Sequence, residues 1–282
     1  MRGWPVCNSC ETTPPPGRPR SEKSAVIQSN LRSRRSAVRC LRGLVGAKER
    51  GLRRHSGEGQ LNFDLNAVEA AAFVLALRER GLRDAAVLGA MERVPRDLFA
   101  PRRFADLSRR DVALPLPLGQ TMTAPGPVAT MLTALKIEPG SAILEIGAGS
   151  GYVSALLARL GGQVVSVERY AALADGAVMR FSELGLARSI EITVRDGLAL
   201  QTSERFARII LNGALPVVPD GVAQLLAPGG RLVGAVAGSE GPRVVVVTRD
   251  ENDGFALEFG ASLRISPLVA PPNLRPLRVA EA

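Results

Sequence analysis

An apolar run, Ile143-Leu144-Glu145-Ile146, passes directly into Gly147-Ala148-Gly149-Ser150-Gly151 and then into Tyr152-Val153-Ser154-Ala155-Leu156. No other stretch limits so strongly what the chain can become. Buried strand, glycine turn and helix, in that order, open a strand-helix-strand unit, the building block of doubly wound parallel sheets. Glycines at alternate positions permit backbone angles that a Cβ would penalise, and they leave main chain open to a ligand. The helix that follows offers unpaired N–H groups to an anion. The turn therefore reads as a nucleotide-type cofactor loop.

The surrounding acids say which cofactor. A dinucleotide fingerprint, G-x-G-x-x-G/A, needs a small residue at position 152, where this chain has tyrosine. The spacing here is G-x-G-x-G, with Glu145 two residues before the first glycine. A carboxylate there suits the ammonium group of a methionine-like ligand better than it suits a pyrophosphate. A second apolar strand, Gln163 to Glu168, ends in an acid able to accept from both ribose hydroxyls. A third, Ser189 to Val194, runs into Arg195-Asp196-Gly197, where Asp196 can meet an adenine amino group. Acid, glycine turn, acid and acid in this order describe S-adenosyl-L-methionine, with Glu145, Gly147, Ala148, Gly149, Gly151, Glu168 and Asp196 as expected contacts. The alternative, an ordinary α/β sheet with acidic strand ends, is disfavoured by the order and spacing of the set.

Charge has to be localised before it can be used. The net charge is +9 over 282 residues, but residues 1–60 hold 13 Arg and Lys against 4 acids, and residues 61–282 hold 23 against 23. Excess charge thus belongs to the first sixty residues, and the neutral remainder weakens the argument for a nucleic-acid footprint on the folded domain. Cys7, Cys10, Cys40 and His55 lie in the same leading segment. Residues 61–282 therefore exclude a Cys/His metal cluster, a Ser-His-Asp relay and a cysteine nucleophile. The proline-rich stretch Thr12 to Pro19 and the arginines from Arg32 to Arg54 read as a basic, disordered or wrongly assigned N-terminal extension, with an RNA-binding arm as the minority reading. Residues 61–282 read as one folded domain. No apolar stretch approaches a membrane span, and the beginning lacks a secretory h-region, which favours the cytoplasm.

Periodicity places the other elements. Val68, Ala71, Ala72, Leu75 and Ala76 recur at helical spacing between Asp64 and Arg80, and Asp84 caps a second helix through Met91. Leu114 to Pro125, with three prolines, predicts an ordered loop rather than a regular element. Val128 to Leu135 reads as a short helix. Phe206 to Asn212 reads as a fourth strand, Pro219 to Leu226 as a helix, Ala227 to Gly230 as a turn and Arg231 to Val236 as a fifth strand. Pro242 to Thr248 and Phe255 to Ile265 form an expected antiparallel pair around Asp253-Gly254. The architecture predicted is a doubly wound, Rossmann-like sheet with N-terminal helices and a C-terminal antiparallel portion.

From about residue 65 to 270 the chain resembles the protein-L-isoaspartate (D-aspartate) O-methyltransferases. The resemblance rests on Met91-Glu92-Arg93-Val94-Pro95-Arg96 with Phe99 and Pro101, on Leu114-Pro115 through Gly119-Gln120-Thr121, on Leu144 to Tyr152, Glu168-Arg169 and Asp196-Gly197, and on Pro228-Gly229-Gly230-Arg231-Leu232. It implies S-adenosyl-L-methionine-dependent methylation of the free carboxylate of L-isoaspartyl residues in damaged proteins, a repair reaction. It adds Arg169 and Gly197 to the cofactor contacts, and makes Gln120, Thr121 and Thr123 the substrate-binding set. Thr123 stands where the family has serine and keeps the hydroxyl expected to orient the acceptor. Ala207 replaces the family's acid in F-D-R-I-I, Asn212-Gly213-Ala214-Leu215-Pro216 replaces an alanine-rich stretch, and Gly126 replaces a larger residue, which predicts a more open pocket. Two other readings stand beside repair. One is methylation of RNA or a small molecule on the same fold, and the other is a non-catalytic module that binds the cofactor or damaged protein. Isoaspartyl proteins and peptides are the expected partners, and a monomer the expected state.

Overall fold

The computed structural model describes residues 65–279. The basic extension expected over residues 1–60, with its cysteines and histidine, lies outside the described residues. Helix α1 (Leu65–Glu79) and helix α2 (Ala85–Arg93) come first. Asp84 caps α2 by accepting from the N–H groups of Ala86 and Val87 at 3.0 and 3.1 Å, an interaction worth about 1 kcal/mol. The short helix α3 (Arg96–Phe99) and a 3-10 stretch, Arg102–Leu107, follow.

The apolar stripe expected on α1 is rotated. Phe73 and Leu77 are the buried pair, while Val68 is 53% and Leu75 57% exposed. Helix α1 is apolar nearly all round, so spacing alone leaves its phase undetermined. Phe73 and Leu77 sit one turn apart and bury more surface than a valine-alanine stripe would, about 1.5–3 kcal/mol each.

The proline-rich segment is irregular but not featureless. Strand β1 (Leu114–Pro115) pairs antiparallel with β2 (Thr121–Met122), and between them Leu118 and Gly119 both take positive φ. Helix α4 (Pro125–Leu135) starts at Pro125, earlier than predicted, because proline's fixed φ suits a first helical position.

The main sheet has the order β5-β4-β3-β6-β7-β8-β9. Strands β3 (Ala142–Ile146), β4 (Gln163–Glu168), β5 (Ile190–Val194), β6 (Phe206–Leu215) and β7 (Leu226–Val236) run parallel. Strands β8 (Arg243–Arg249) and β9 (Phe255–Ser262) add the expected antiparallel portion. Successive residues face opposite cores. Ile143, Ile210 and Val233 pack beneath α2, α4, helix α5 (Tyr152–Arg159) and helix α6 (Ala171–Glu183), whereas Leu144, Ile209 and Leu232 face the other side. That second side is closed by one-turn helix α7 (Asp220–Ala223) and by Leu268, Leu274 and Leu277 of the tail.

Two boundaries differ from expectation. The helix predicted from Pro219 to Leu226 is a single turn, and the predicted turn 227–230 lies within β7. Leu226 already pairs with Phe206, and a register shift before the Arg208–Arg231 pair absorbs the Pro-Gly-Gly residues as an irregularity inside the strand. Among the described residues, no helix is long and apolar enough to cross a membrane. Strand order reverses between β3 and β6, and at the carboxyl ends of that pair an open α/β sheet forms its crevice.

Candidate active site

The crevice is a cleft of about 370 Å³. The donor-loop glycines Gly147 and Gly149 form part of its wall, with φ of 86° and 56°. Ala148 lies in a smaller inner pocket behind them. Gly151, also expected to touch the cofactor, lines neither cavity. A Cβ there would come within 2.7 Å of Phe181 and 2.8 Å of Ala177, so the third glycine serves the close packing of α5 on α6.

Glu168 ends β4 and reaches the cleft while only 5% exposed. Its Oε2 accepts from Gly149 N–H at 2.8 Å and its Oε1 from Tyr170 N–H at 2.9 Å. Each oxygen keeps a further lone pair, so the carboxylate can take two ribose hydroxyls while bracing the glycine turn. Asp196 also lines the cleft, beside Gly197 and Leu198. Its Oδ2 meets Arg169 at 2.7 Å and its Oδ1 accepts from Leu198 N–H at 3.0 Å. Arg169 additionally donates to the carbonyl of Val269 at 3.3 Å, which ties the β4 end to the C-terminal segment.

Glu145 departs from expectation. It is fully buried and lines neither the cleft nor the inner pocket. Its Oε2 accepts from Ser154 and Ser166 Oγ, both at 2.5 Å, and its Oε1 from Asn212 Nδ2 at 2.6 Å. Burial pushes its carboxyl above the ordinary range, while the three donors pull the other way. Position two residues before a glycine turn identifies a strand residue but not its side, because alternate residues of β3 face opposite cores. The residue that does line the cleft is Asn212, in β6 one position beyond the stretch paired with β3. Sequence reading marked it only as a departure. Its place beside β3, at the reversal of strand order, is the signal that would have found it.

The opposite wall comes from the proline-rich loop. Gln120, Thr121 and Thr123 all line the cleft. Gln120 Nε2 donates to the carbonyl of Leu118 at 3.0 Å. Thr123 borders the cleft, the inner pocket and an outer groove that includes Ala113, Arg264 and Ser266. Its main chain is fixed from below by Arg96, which is only 3% exposed. The guanidinium donates to the carbonyls of Ser108 (2.8 Å), Arg110 (3.4 Å), Val112 (3.0 Å) and Thr123 (3.1 Å), and lies over the Tyr152 ring. One planar fork thus gathers four acceptors from an irregular segment, which a lysine could not do. This is the physical content of Val94-Pro95-Arg96.

Gly126 does not open the site. A Cβ there would meet Asp111 Oδ2 at 2.7 Å, and Asp111 accepts from Gly126 N–H at 2.7 Å and pairs with Arg80. The space left by a smaller residue is filled by a carboxylate that caps α4. Ser266 to Val269 close the cleft from the C-terminal side. Ala214 N–H donates to Ser266 O and Leu268 N–H to Ala214 O, each at 2.9 Å. Leu268 lies so close that a Cβ on Gly147 would meet its Cδ1 at 2.9 Å and one on Gly213 its Cβ at 2.8 Å.

A doubly wound sheet with an acid-lined cleft at its switch point, closed by an antiparallel β8–β9 portion, defines the class of S-adenosyl-L-methionine-dependent methyltransferases. The fold likeness agrees: a protein-L-isoaspartate O-methyltransferase described as putative, from Plasmodium falciparum and solved with S-adenosyl-L-homocysteine, superposes with a TM-score of 0.62 at 18% identity, covering 70% of this chain and 97% of that one. Within the class, this chain belongs to the protein-L-isoaspartate(D-aspartate) O-methyltransferase family, whose pattern matches residues 68–271. A protein-L-isoaspartate O-methyltransferase of Azorhizobium caulinodans is 43% identical over 206 residues, 72% of this chain and 93% of the relative. The Rhodopseudomonas palustris (strain HaA2) protein-L-isoaspartate O-methyltransferase 2 is 40% identical over 200 residues, 71% and 92% of the two chains.

Proposed function

We propose that the protein transfers a methyl group from S-adenosyl-L-methionine to the free carboxylate of L-isoaspartyl residues in damaged proteins and peptides. The observation that carries this reading is the meeting of two walls in one cleft: Glu168 and Asp196 on one side, Thr121 and Thr123 on the other. Glu168 would hold the ribose hydroxyls. Asp196, Gly197 and Leu198 would border the adenine, with Arg169 keeping Asp196 in place. The glycines 147 and 149 let the methionine part lie against main chain.

S-adenosyl-L-methionine supplies an activated methyl on a sulfonium. The rest of the task is positional. An ordinary carboxylate, with a pKa near ~4, is already ionised at neutral pH, so no general base is needed. This agrees with a body, residues 61–282, that contains neither histidine nor cysteine. Thr123 Oγ1 donates to the acceptor carboxylate and directs one of its oxygens at the methyl carbon. With the donor bound, these residues would hold the carboxylate oxygen in line, so that the O–C bond could form as the S–C bond breaks and the two opposite charges cancel in a neutral ester and thioether. The following backbone amide nitrogen then displaces methanol from the ester to close a succinimide, which water partly reopens as aspartate.

The state we assign is a monomer, and the compartment the cytoplasm. The test offers methyl-labelled donor with an isoaspartyl peptide, its aspartyl counterpart and total RNA. Base-labile label on the isoaspartyl peptide alone is expected. Label on RNA alone would sink the reading.

A further inference from the structure

Among the described residues three buried side-chain atoms lack a hydrogen-bond partner: Arg96 Nε, Tyr152 Oη and Asn212 Oδ1. The residues Tyr152 and Asn212 line the same inner pocket, a space of about 30 Å³ reached from the main cleft past Thr121, Thr123, Gly147 and Gly149. Leaving such groups dry and unpaired costs free energy, so an unpaired pair in one pocket points to a missing partner.

The amide of Asn212 is oriented by its surroundings. Nδ2 donates to Glu145 Oε1 at 2.6 Å and to the carbonyl of Gly147 at 3.2 Å. A flipped amide would set its oxygen against two acceptors, so Oδ1 is the atom left without a partner, on a residue that lines both cavities. The pocket is thus offered a carbonyl-type acceptor with the buried Glu145 carboxylate directly behind it. An acceptor backed by an acid suits a cation that donates hydrogen bonds, not an anion.

We propose that Asn212 reads the α-ammonium group of the methyl donor through Oδ1, with Tyr152 Oη as a second acceptor in the inner pocket. Glu145 acts only through Asn212, as a positioning residue. The inference rests on the methyl-donor reading of the cleft and adds to it the residue that discriminates donors by their amine. It also reassigns the role expected of Glu145 to a residue that no glycine-loop pattern contains.

Binding rather than turnover tests it. Affinities of S-adenosyl-L-homocysteine and of its deamino analogue are measured by calorimetry on the full chain, wild type and Asn212→Leu. Wild type is expected to prefer the amine-bearing ligand by about tenfold or more, as for a hydrogen bond to a charged group. Asn212→Leu should bring the two within about twofold, mainly by weakening the amine-bearing ligand. Asn212→Ala gives the same readout if the leucine variant is insoluble. Tyr152→Phe should lower the preference by a smaller factor, and an unchanged preference removes Tyr152 from the site. Persistence of the wild-type preference in a folded Asn212 variant overturns the proposal while leaving the cleft a donor site. Failure of wild type to bind either ligand overturns the donor reading itself.

Discussion

The donor wall of the cleft, made by the carboxyl ends of β3, β4 and β5, and the acceptor wall, made by residues 119–123 of the proline-rich loop, reach the same cavity by different routes, with residues 266–269 closing it. On the donor side, each functional group is the last residue of a strand or lies in the turn after it, and backbone N–H groups at strand ends and turns brace the acids: Gly149 and Tyr170 N–H hold Glu168, and Leu198 N–H holds Asp196. Across the cleft, irregular chain is held by contacts that span the domain, from Arg96 to Thr123 and from Ala214 to Leu268. Regular elements carry chemistry at low cost because their backbone is already paired. An irregular wall needs a dedicated side chain to do that pairing.

If that division holds, damage to one wall should leave the other intact. Arg96→Leu should have the largest effect: four carbonyls lose their donor, and stability should fall by about 3 kcal/mol with a sharp loss of turnover. Urea denaturation and calorimetry check it together, since the donor affinity of the folded fraction should survive; its collapse would mean that the two walls are one unit. Glu168→Ala comes next and should reverse the pattern, weakening S-adenosyl-L-homocysteine by about 2 kcal/mol, roughly thirtyfold, with the KM for isoaspartyl peptide near wild type. Thr123→Val keeps the shape and removes the hydroxyl. It should lower kcat by about tenfold, or ~1.4 kcal/mol, without moving donor affinity; undiminished kcat would release Thr123 from orienting the acceptor. The smallest effect concerns Glu145, whose carboxyl burial raises above its unfolded value. The folded state then holds a proton more tightly than the unfolded state, so this contribution is full below the unfolded pKa and lost as pH rises through the folded one. Stability of the wild type should therefore decline over that window relative to Glu145→Gln, as read from urea midpoints, and parallel curves would contradict it.

The same contrast explains what was legible in the sequence. The succession of strands and helices, the antiparallel end and the strand-end place of Glu168 follow from apolar runs, turn residues and a glycine turn, all of which are local. The face of α1 was not legible, because a helix of alanine, valine and leucine has no marked polar side to set its phase. Gly151 and Glu145 were misplaced for a related reason. Spacing puts a residue at a strand end or a turn, but which cavity it meets depends on what packs against it, Phe181 in one case and Ser154, Ser166 and Asn212 in the other. Gly126 taught the converse: a lost side chain is a gap only if nothing distant moves in, and Asp111 stands 15 residues away.

Leu268 has a bearing on how such proteins can be recombined. Its side chain already fills the space above Gly147, and its backbone crowds Gly213, so three positions spread over 122 residues behave as one part. A chimera that imports the C-terminal segment without the two glycines, or the glycines without the segment, would carry a collision or a hole at the roof of the donor cleft. Exchange between relatives has to move all three together, and the practical unit of grafting is the cleft with its roof rather than any continuous stretch of chain.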